Sequence, residues 1–276
     1  SLAHESFYIP GATGNTAISM HMAYAMAMSL CCDRLAALLS MSCSFLLLFT
    51  MVGFCRRFFC SWRVGLWAGI FVYTTPMMAD VAGAGGVDEG LALFTFIGFW
   101  GLCEYVRGDR NWLVIAGFGA GLAAGSKYYG LISIFAFAII VVFHGVAKKR
   151  NGFCIVKDLV LFCGIAFLFA CPSYLRNLVN TGNPFYPGFF DIFGGRHWSA
   201  ELNSAMKDFV ANNKRPLSVS VWTLFQLPWN LTVHGDLFNA GRNGYGPLFL
   251  CMAPALVFAF FRSREFRQYS LIALPY

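Results

Sequence analysis

Charge is what this 276-residue chain has least of. Only 12% of its residues are Asp, Glu, Lys or Arg, about half of the roughly 25% usual in soluble domains. A chain so poor in charge cannot cover itself with a water-soluble surface. No secretory leader is visible in residues 1–30, which show no basic start followed by a clean apolar core. There is no repeat and no low-complexity tract, which excludes solenoids and disordered tails. The ten cysteines show no zinc-site spacing. Cys31 and Cys32 are adjacent, and Cys43, Cys103, Cys163, Cys171 and Cys251 fall in apolar stretches, where a thiol is a small packing residue. Gly83-Ala-Gly-Gly86 follows no strand, so it is a flexible turn and not a nucleotide loop.

What is present is apolar. Hydrophobic residues make up 58% of the chain and aromatics 17%, with 30 Phe. Apolar helices are predicted over 34–55, 64–82, 90–106, 111–126, 128–147, 155–175 and 247–261, with a last one starting near Gln268. Most are long enough to cross about 30 Å of hydrocarbon. The expected fold is therefore all-α, a polytopic transmembrane bundle of about seven to eight spans in one integral membrane domain covering 1–276. The 111–126 segment is short for a full span. A Met-rich helix over 15–30 is expected to be interfacial or re-entrant. The chain begins at Ser1 and stops in an apolar run, so it reads as a piece of a longer protein lacking at least one helix at each end. Gly117, Gly121 and Gly125 share one helix face, which lets a neighbouring helix come close.

The formal net charge of +7 matters less than where it falls. Basic clusters lie at Arg56, Arg57 and Arg63, at Arg107 and Arg110, at Lys148 to Lys157, and at Arg262 to Arg267. Every second connection carries one, which is the positive-inside pattern. The clusters share no surface outside a bilayer, which argues against nucleic acid as a partner. The outer connections are then 83–89, 126–129 and a long polar loop over 176–245. Asn230-Leu-Thr232 matches a glycosylation acceptor pattern.

Candidate chemistry gathers on that outer side. Lys127 sits at the apex of an otherwise uncharged hairpin, where a lysine near lipid suggests an anionic partner. The plain alternative is snorkelling to the headgroups. Asp80 ends one helix, and Asp88 and Glu89 begin the next. Acids at a helix start complement its dipole; the functional alternative is a carboxylate in the outer cavity, as metal ligand or acceptor contact. His197, His234 and Asp236 lie in the long loop and can orient a phosphate, a sugar or a divalent ion, or be ordinary surface residues. Arg176 and Arg242 flank the loop where it meets the membrane, and a planar guanidinium suits phosphate oxygens or lipid headgroups alike. No metal site is assigned, and a divalent ion is the one cofactor left open.

Three stretches carry a resemblance. Pro172-Ser-Tyr-Leu-Arg-Asn and Thr-Gly-Asn-Pro-Phe-Tyr-Pro187 form the exit of an apolar helix into strong turn formers. Gly121-Leu-Ala-Ala-Gly-Ser-Lys-Tyr-Tyr-Gly-Leu131 is a short outer hairpin. Leu227-Pro-Trp-Asn-Leu-Thr-Val-His234, with Gly246-Pro-Leu-Phe-Leu250, returns the chain to the membrane. Together they resemble bacterial GT-C-type membrane glycosyltransferases, relatives of protein O-mannosyltransferases and lipid A aminoarabinose transferases. The resemblance implies a multi-pass protein of the bacterial inner membrane. Its donor would be a polyprenyl-phosphate sugar, and its acceptor a glycan, lipid or protein on the outer face. It associates the hairpin lysine, here Lys127, with the donor phosphate. It also implies a catalytic aspartate after a first transmembrane helix, upstream of Ser1. Within the chain, Asp88 and Asp236 are the candidates for that base. The rival is a transporter or flippase of a lipid-linked or small substrate. Transporters show paired halves and charges within their spans, whereas these spans read as nearly free of charge.

Overall fold

The computed structural model describes residues 19–30, 32–75, 78, 86–196, 198–213, 221–234, 248–263 and 267. Helices dominate, and no strand occurs among the described residues. They are α1 (Ser19–Leu30), α2 (Asp33–Phe59), α3 (Trp62–Tyr73), α4 (Asp88–Arg107), α5 (Trp112–Ser126), α6 (Gly130–Ala147), α7 (Gly152–Thr181), α8 (Phe190–Phe193), α9 (Ala200–Asn213), α10 (Val221–Val233) and α11 (Leu248–Arg262). Among the described residues four segments are long and apolar enough to cross a membrane: Arg34–Phe59, Asp88–Arg107, Gly130–Ala147 and Gly152–Thr181. At about 1.5 Å per residue, the 12 residues of α3 and the 15 each of α5 and α11 fall short of that length. The chain forms two compact units, one of residues 1–39, 90–205 and 276, the other of residues 40–89 and 206–275.

At the centre of the first unit stands α5. Its Leu113, Ala116, Ala120, Ala123 and Ala124 are fully buried. The Gly117/Gly121 face meets α7 as expected. A Cβ on Gly121 would lie 2.5 Å from the Ala166 carbonyl oxygen, and one on Gly117 2.7 Å from that of Phe162. The opposite face meets α4, where a Cβ on Gly119 would run into the Gly98 backbone nitrogen. Backbones touch on both sides of α5 because nothing larger than a methyl group intervenes. With lipid outside, such close packing takes over the role of the hydrophobic effect.

The helix α7 is longer at both ends than the predicted 155–175. Asn151 caps its start, its side chain accepting from the Phe153 N–H at 3.0 Å. Gly182 ends it in the left-handed conformation at φ 80°, a conformation glycine adopts without steric cost. The expected stop at Asn-Thr-Gly-Asn-Pro is therefore found, but the helix runs six residues past 175 to Thr181. Arg176 accordingly belongs to the helix and not to the loop. The 176–245 region carries α8, α9 and α10 besides this last turn.

In the second unit, α2 and α3 run antiparallel. A Cβ on Gly65 would lie 2.5 Å from the Val52 Cα, and Gly69 faces Leu48. The Tyr73 hydroxyl donates to the Ser44 carbonyl at 2.6 Å. The helix expected over 64–82 gives way at Tyr73. Thr74 and Thr75 turn their hydroxyls back onto the carbonyls of Ile70 and Phe71, and Pro76 follows, which disfavours a helical residue before it. Later in this unit α10 packs against α11. Arg267 donates to the Phe260 and Phe261 carbonyls at 3.1 and 3.0 Å.

Candidate functional site

The hairpin between α5 and α6 is built by its own backbone. The Ser126 hydroxyl turns back to the Leu122 carbonyl at 2.7 Å. Lys127 is extended, and its N–H closes onto the Ala123 carbonyl at 3.1 Å. The Gly130 N–H returns to the Lys127 carbonyl at 2.9 Å. Only Lys127, Tyr128 and Tyr129 separate the two helices. Lys127 is half-buried, and its ammonium lies 5.7 Å from the centroid of the exposed Tyr129 ring, within cation–π range.

Tyr128 ties the hairpin to the segment that follows α7. Its hydroxyl donates to the Tyr186 carbonyl at 2.6 Å and accepts from Asn177 Nδ2 at 3.1 Å. Burial pushes the Tyr128 phenol up to about 12, against the opposing effect of the Asn177 bond. It stays protonated and able to donate at any physiological pH. Two further bonds run from α7 to the end of α5: Tyr174 Oη to the Ala124 carbonyl and Ser173 Oγ to that of Gly125, both 2.9 Å.

The Thr-Gly-Asn-Pro turn is equally well bonded. Thr181 Oγ1 donates to the Asn177 carbonyl at 2.7 Å. Fully buried Asn183 donates from Nδ2 to the Gly188 and Gly194 carbonyls at 2.9 and 3.0 Å and accepts from the Phe185 N–H at 2.9 Å. The Arg196 N–H reaches the Thr181 carbonyl at 2.8 Å. Tyr186 is fully buried edge-on to Trp198, ring centroids 6.0 Å apart. The polar letters of this motif thus serve backbone groups that would otherwise be orphaned.

The sequence neighbours of two predicted cations meet here. Asn177 follows Arg176 and bonds Tyr128, which follows Lys127, so one hydrogen bond bridges the neighbours of both. Arg176 is exposed on α7. Beside them runs an apolar groove of about 490 Å³ between α6, α7 and the turn, lined by residues including Leu131, Phe167, Tyr174, Leu178 and Phe185.

In the second unit, Asp88 is exposed in the first turn of α4. Glu89 is fully buried, accepting from Ser40 Oγ at 2.5 Å. Its Oε1 and the Ser44 hydroxyl have no hydrogen-bond partner among the described residues. His234 is exposed just after α10, its N–H on the Asn230 carbonyl at 2.8 Å. Asp80, His197, Asp236 and Arg242 lie outside the described residues. Among the described residues no three His, Cys, Asp or Glu side chains gather to hold a metal ion.

Sequence reading missed a second polar cluster in the first unit. Asp158, the sole carboxylate of α7, is fully buried. It accepts from Tyr105 Oη at 2.9 Å, Arg110 Nε at 2.5 Å and Arg150 Nη1 at 2.6 Å. Arg150 Nη1 also lies 3.1 Å from Tyr105 Oη. The Asp158 carboxylate raises the Arg150 pKa. The spans are therefore less free of charge than their hydropathy suggested, because Asp158 lies in α7 and buried Glu89 and Glu104 in α4. A lone acid in an apolar helix next to a basic loop was the available signal, since such an acid calls for a partner.

Among known families, the one described as dolichyl-phosphate-mannose-protein mannosyltransferase matches residues 16–173. No curated protein and no solved structure matches the chain.

Proposed function

We propose, for a chain that belongs to the dolichyl-phosphate-mannose-protein mannosyltransferase family and is a GT-C-type membrane glycosyltransferase, that its donor is a polyprenyl-phosphate sugar. Lys127 and Arg176 would meet the donor phosphate on the outer face of a bacterial inner membrane. The acceptor would be a glycan, a lipid or a protein. The carrying observation is the docking of the Lys127 hairpin onto the Asn177–Tyr186 segment through Tyr128. It fixes the root of a lysine at the end of two helices, next to an apolar groove suited to a prenyl chain. An ammonium near lipid gains most from an anionic partner, and a lipid phosphate arrives at that depth.

The chemistry is a displacement at the anomeric carbon. The bond from that carbon to the phosphate oxygen breaks as the bond to the acceptor oxygen forms. The polyprenyl phosphate leaves with the electron pair and needs no proton, and cations beside its oxygens stabilise the charge it gathers. The acceptor proton passes to a carboxylate acting as general base. A divalent ion, if used, would serve the phosphate in the same electrostatic sense.

The test is transfer of radiolabelled sugar from polyprenyl-phosphate donors by the full chain in lipid. Lys127→Ala is expected to lower donor turnover about tenfold or more, as suits loss of a charge-assisted bond, and Lys127→Arg to restore part of it. Unchanged kinetics in the alanine variant would remove Lys127 from the site. Absence of transfer across a panel of donors, with movement of lipid-linked substrate instead, would favour the transporter.

A further inference from the structure

We infer that the basic end of the first unit is a binding surface for the headgroup of an anionic phospholipid. Two loops some 40 residues apart in sequence meet there, because Arg110 and Arg150 hold the same Asp158 carboxylate. The clamp sets one negative charge against two positive ones. Around it Arg107, Lys148, Lys149 and Lys157 are exposed. The acids of these loops and helix ends are fewer: exposed Asp109, buried Glu104 and Asp158 itself. The surface therefore carries a net positive charge.

The patch also has a fixed shape. Lys149 adopts φ 52°, closing α6 with a turn in which its N–H bonds the Val146 carbonyl at 2.9 Å and the Arg150 N–H that of Gly145 at 3.0 Å. That turn presents Lys148 and Lys149 outward while sending Arg150 in to Asp158. Lys157 leans back toward the start of α7, its ammonium 4.7 Å from the centre of the Phe153 ring, which brings its charge level with the loop. Deeper along the same helices, Phe143 and Val146 on α6 and Val156 and Val160 on α7 are exposed. Cations at the helix ends with bare apolar side chains below them match a phosphate at the bilayer edge with acyl chains beneath. A soluble phosphate would use only the upper half of this surface. The positive-inside pattern explains why such residues lie on one side of the membrane. It does not explain why Arg110 and Arg150 of two separate loops are held on one carboxylate.

Native mass spectrometry of the full chain released from micelles containing equal phosphatidylglycerol and phosphatidylcholine reads the site directly. The wild type is expected to retain phosphatidylglycerol at least tenfold over phosphatidylcholine. Lys148→Ala, Lys149→Ala and Lys157→Ala combined should abolish that preference, since each lysine near an anionic surface is worth roughly fivefold. The three exposed lysines lie outside the clamp, and arginines at the same positions should restore retention. Equal retention of the two lipids by the wild type would overturn the proposal without reference to any variant. So would a preference that survives the triple alanine variant, which would indicate diffuse attraction. Displacement of phosphatidylglycerol by millimolar glycerol phosphate would show a site for free phosphate and also overturn it.

Discussion

The two ends of α7 are fastened by opposite means. At its start one buried carboxylate gathers two guanidinium groups and a phenol, three of them ionised. At its far end Ser173, Tyr174, Asn177, Thr181 and Asn183 make a network of neutral groups, most of them bonded to backbone carbonyls. The first arrangement reaches across loops, because long charged side chains can find one acid from a distance. The second fixes backbone to backbone, because short polar side chains reach only what is already close. A phosphate brought to the neutral end meets no carboxylate within that network. A phosphate at the charged end meets cations already held by an acid.

The contrast can be broken most severely at Asp158. Asp158→Ala leaves Arg110 and Arg150 facing a buried void, and breaking a buried pair costs about 3–5 kcal/mol. The Arg110 side chain is 52% exposed, so water recovers part of the loss and the lower end, about 3 kcal/mol, is expected. Thermal unfolding in detergent measures it, and an unchanged midpoint would show that the clamp is ornamental. Next comes Asn183→Ala, which leaves the Gly188 and Gly194 carbonyls without their donor at a cost of about 1–3 kcal/mol. Limited proteolysis should then open the chain between 183 and 196 before the rest. Uniform resistance there would mean that the motif is not what holds the turn.

The smallest expected effect sharpens the comparison most. Tyr128→Phe should cost about 1 kcal/mol near neutrality, one net hydrogen bond, while lowering sugar transfer by loosening the Lys127 hairpin. The phenol stands at about 12 in the fold against about 10 in an unfolded chain. A pKa raised by folding gives stability that is complete below pH 10 and lost as pH rises through about 12. The variant should therefore show less alkaline loss than the wild type across that window. An identical alkaline profile in both would remove Tyr128 from the network's titration.

Much of this fold is written locally. Long apolar runs marked the four spans found among the described residues, though they also suggested spans at 64–82 and 247–261 where the helices are shorter. The spacing of Gly117 and Gly121 marked a face for close helix approach, and the Asn-Thr-Gly-Asn-Pro run marked where α7 stops. Each signal depends on residues within a few positions of one another. The charged clamp was not legible, because Arg110, Arg150 and Asp158 carry no local mark of a shared destination. Arg110 and Arg150 were read within basic clusters as topology alone, and Asp158 was not singled out. The end of α3 was set by two threonine hydroxyls and a proline against an apolar run that favoured continuing. In the candidate site, Lys127 stood out in the sequence as a costly charge. Tyr128 and Asn177, which fix its root, look in sequence like ordinary interfacial residues.

The Ala and Gly face of α5 has an entropic consequence. Ala and Gly have no side-chain rotamers to lose, so drawing α4 and α7 onto this face freezes no side-chain motion at its Ala and Gly positions. In a bilayer, where apolar burial offers little net drive between helices, association at so small an entropic cost favours the assembled state. It also leaves the Ala and Gly positions of this face no rotamer through which a displacement at the Lys127 hairpin can be absorbed. A shift there is passed on to α4 and α7 as motion of whole backbones.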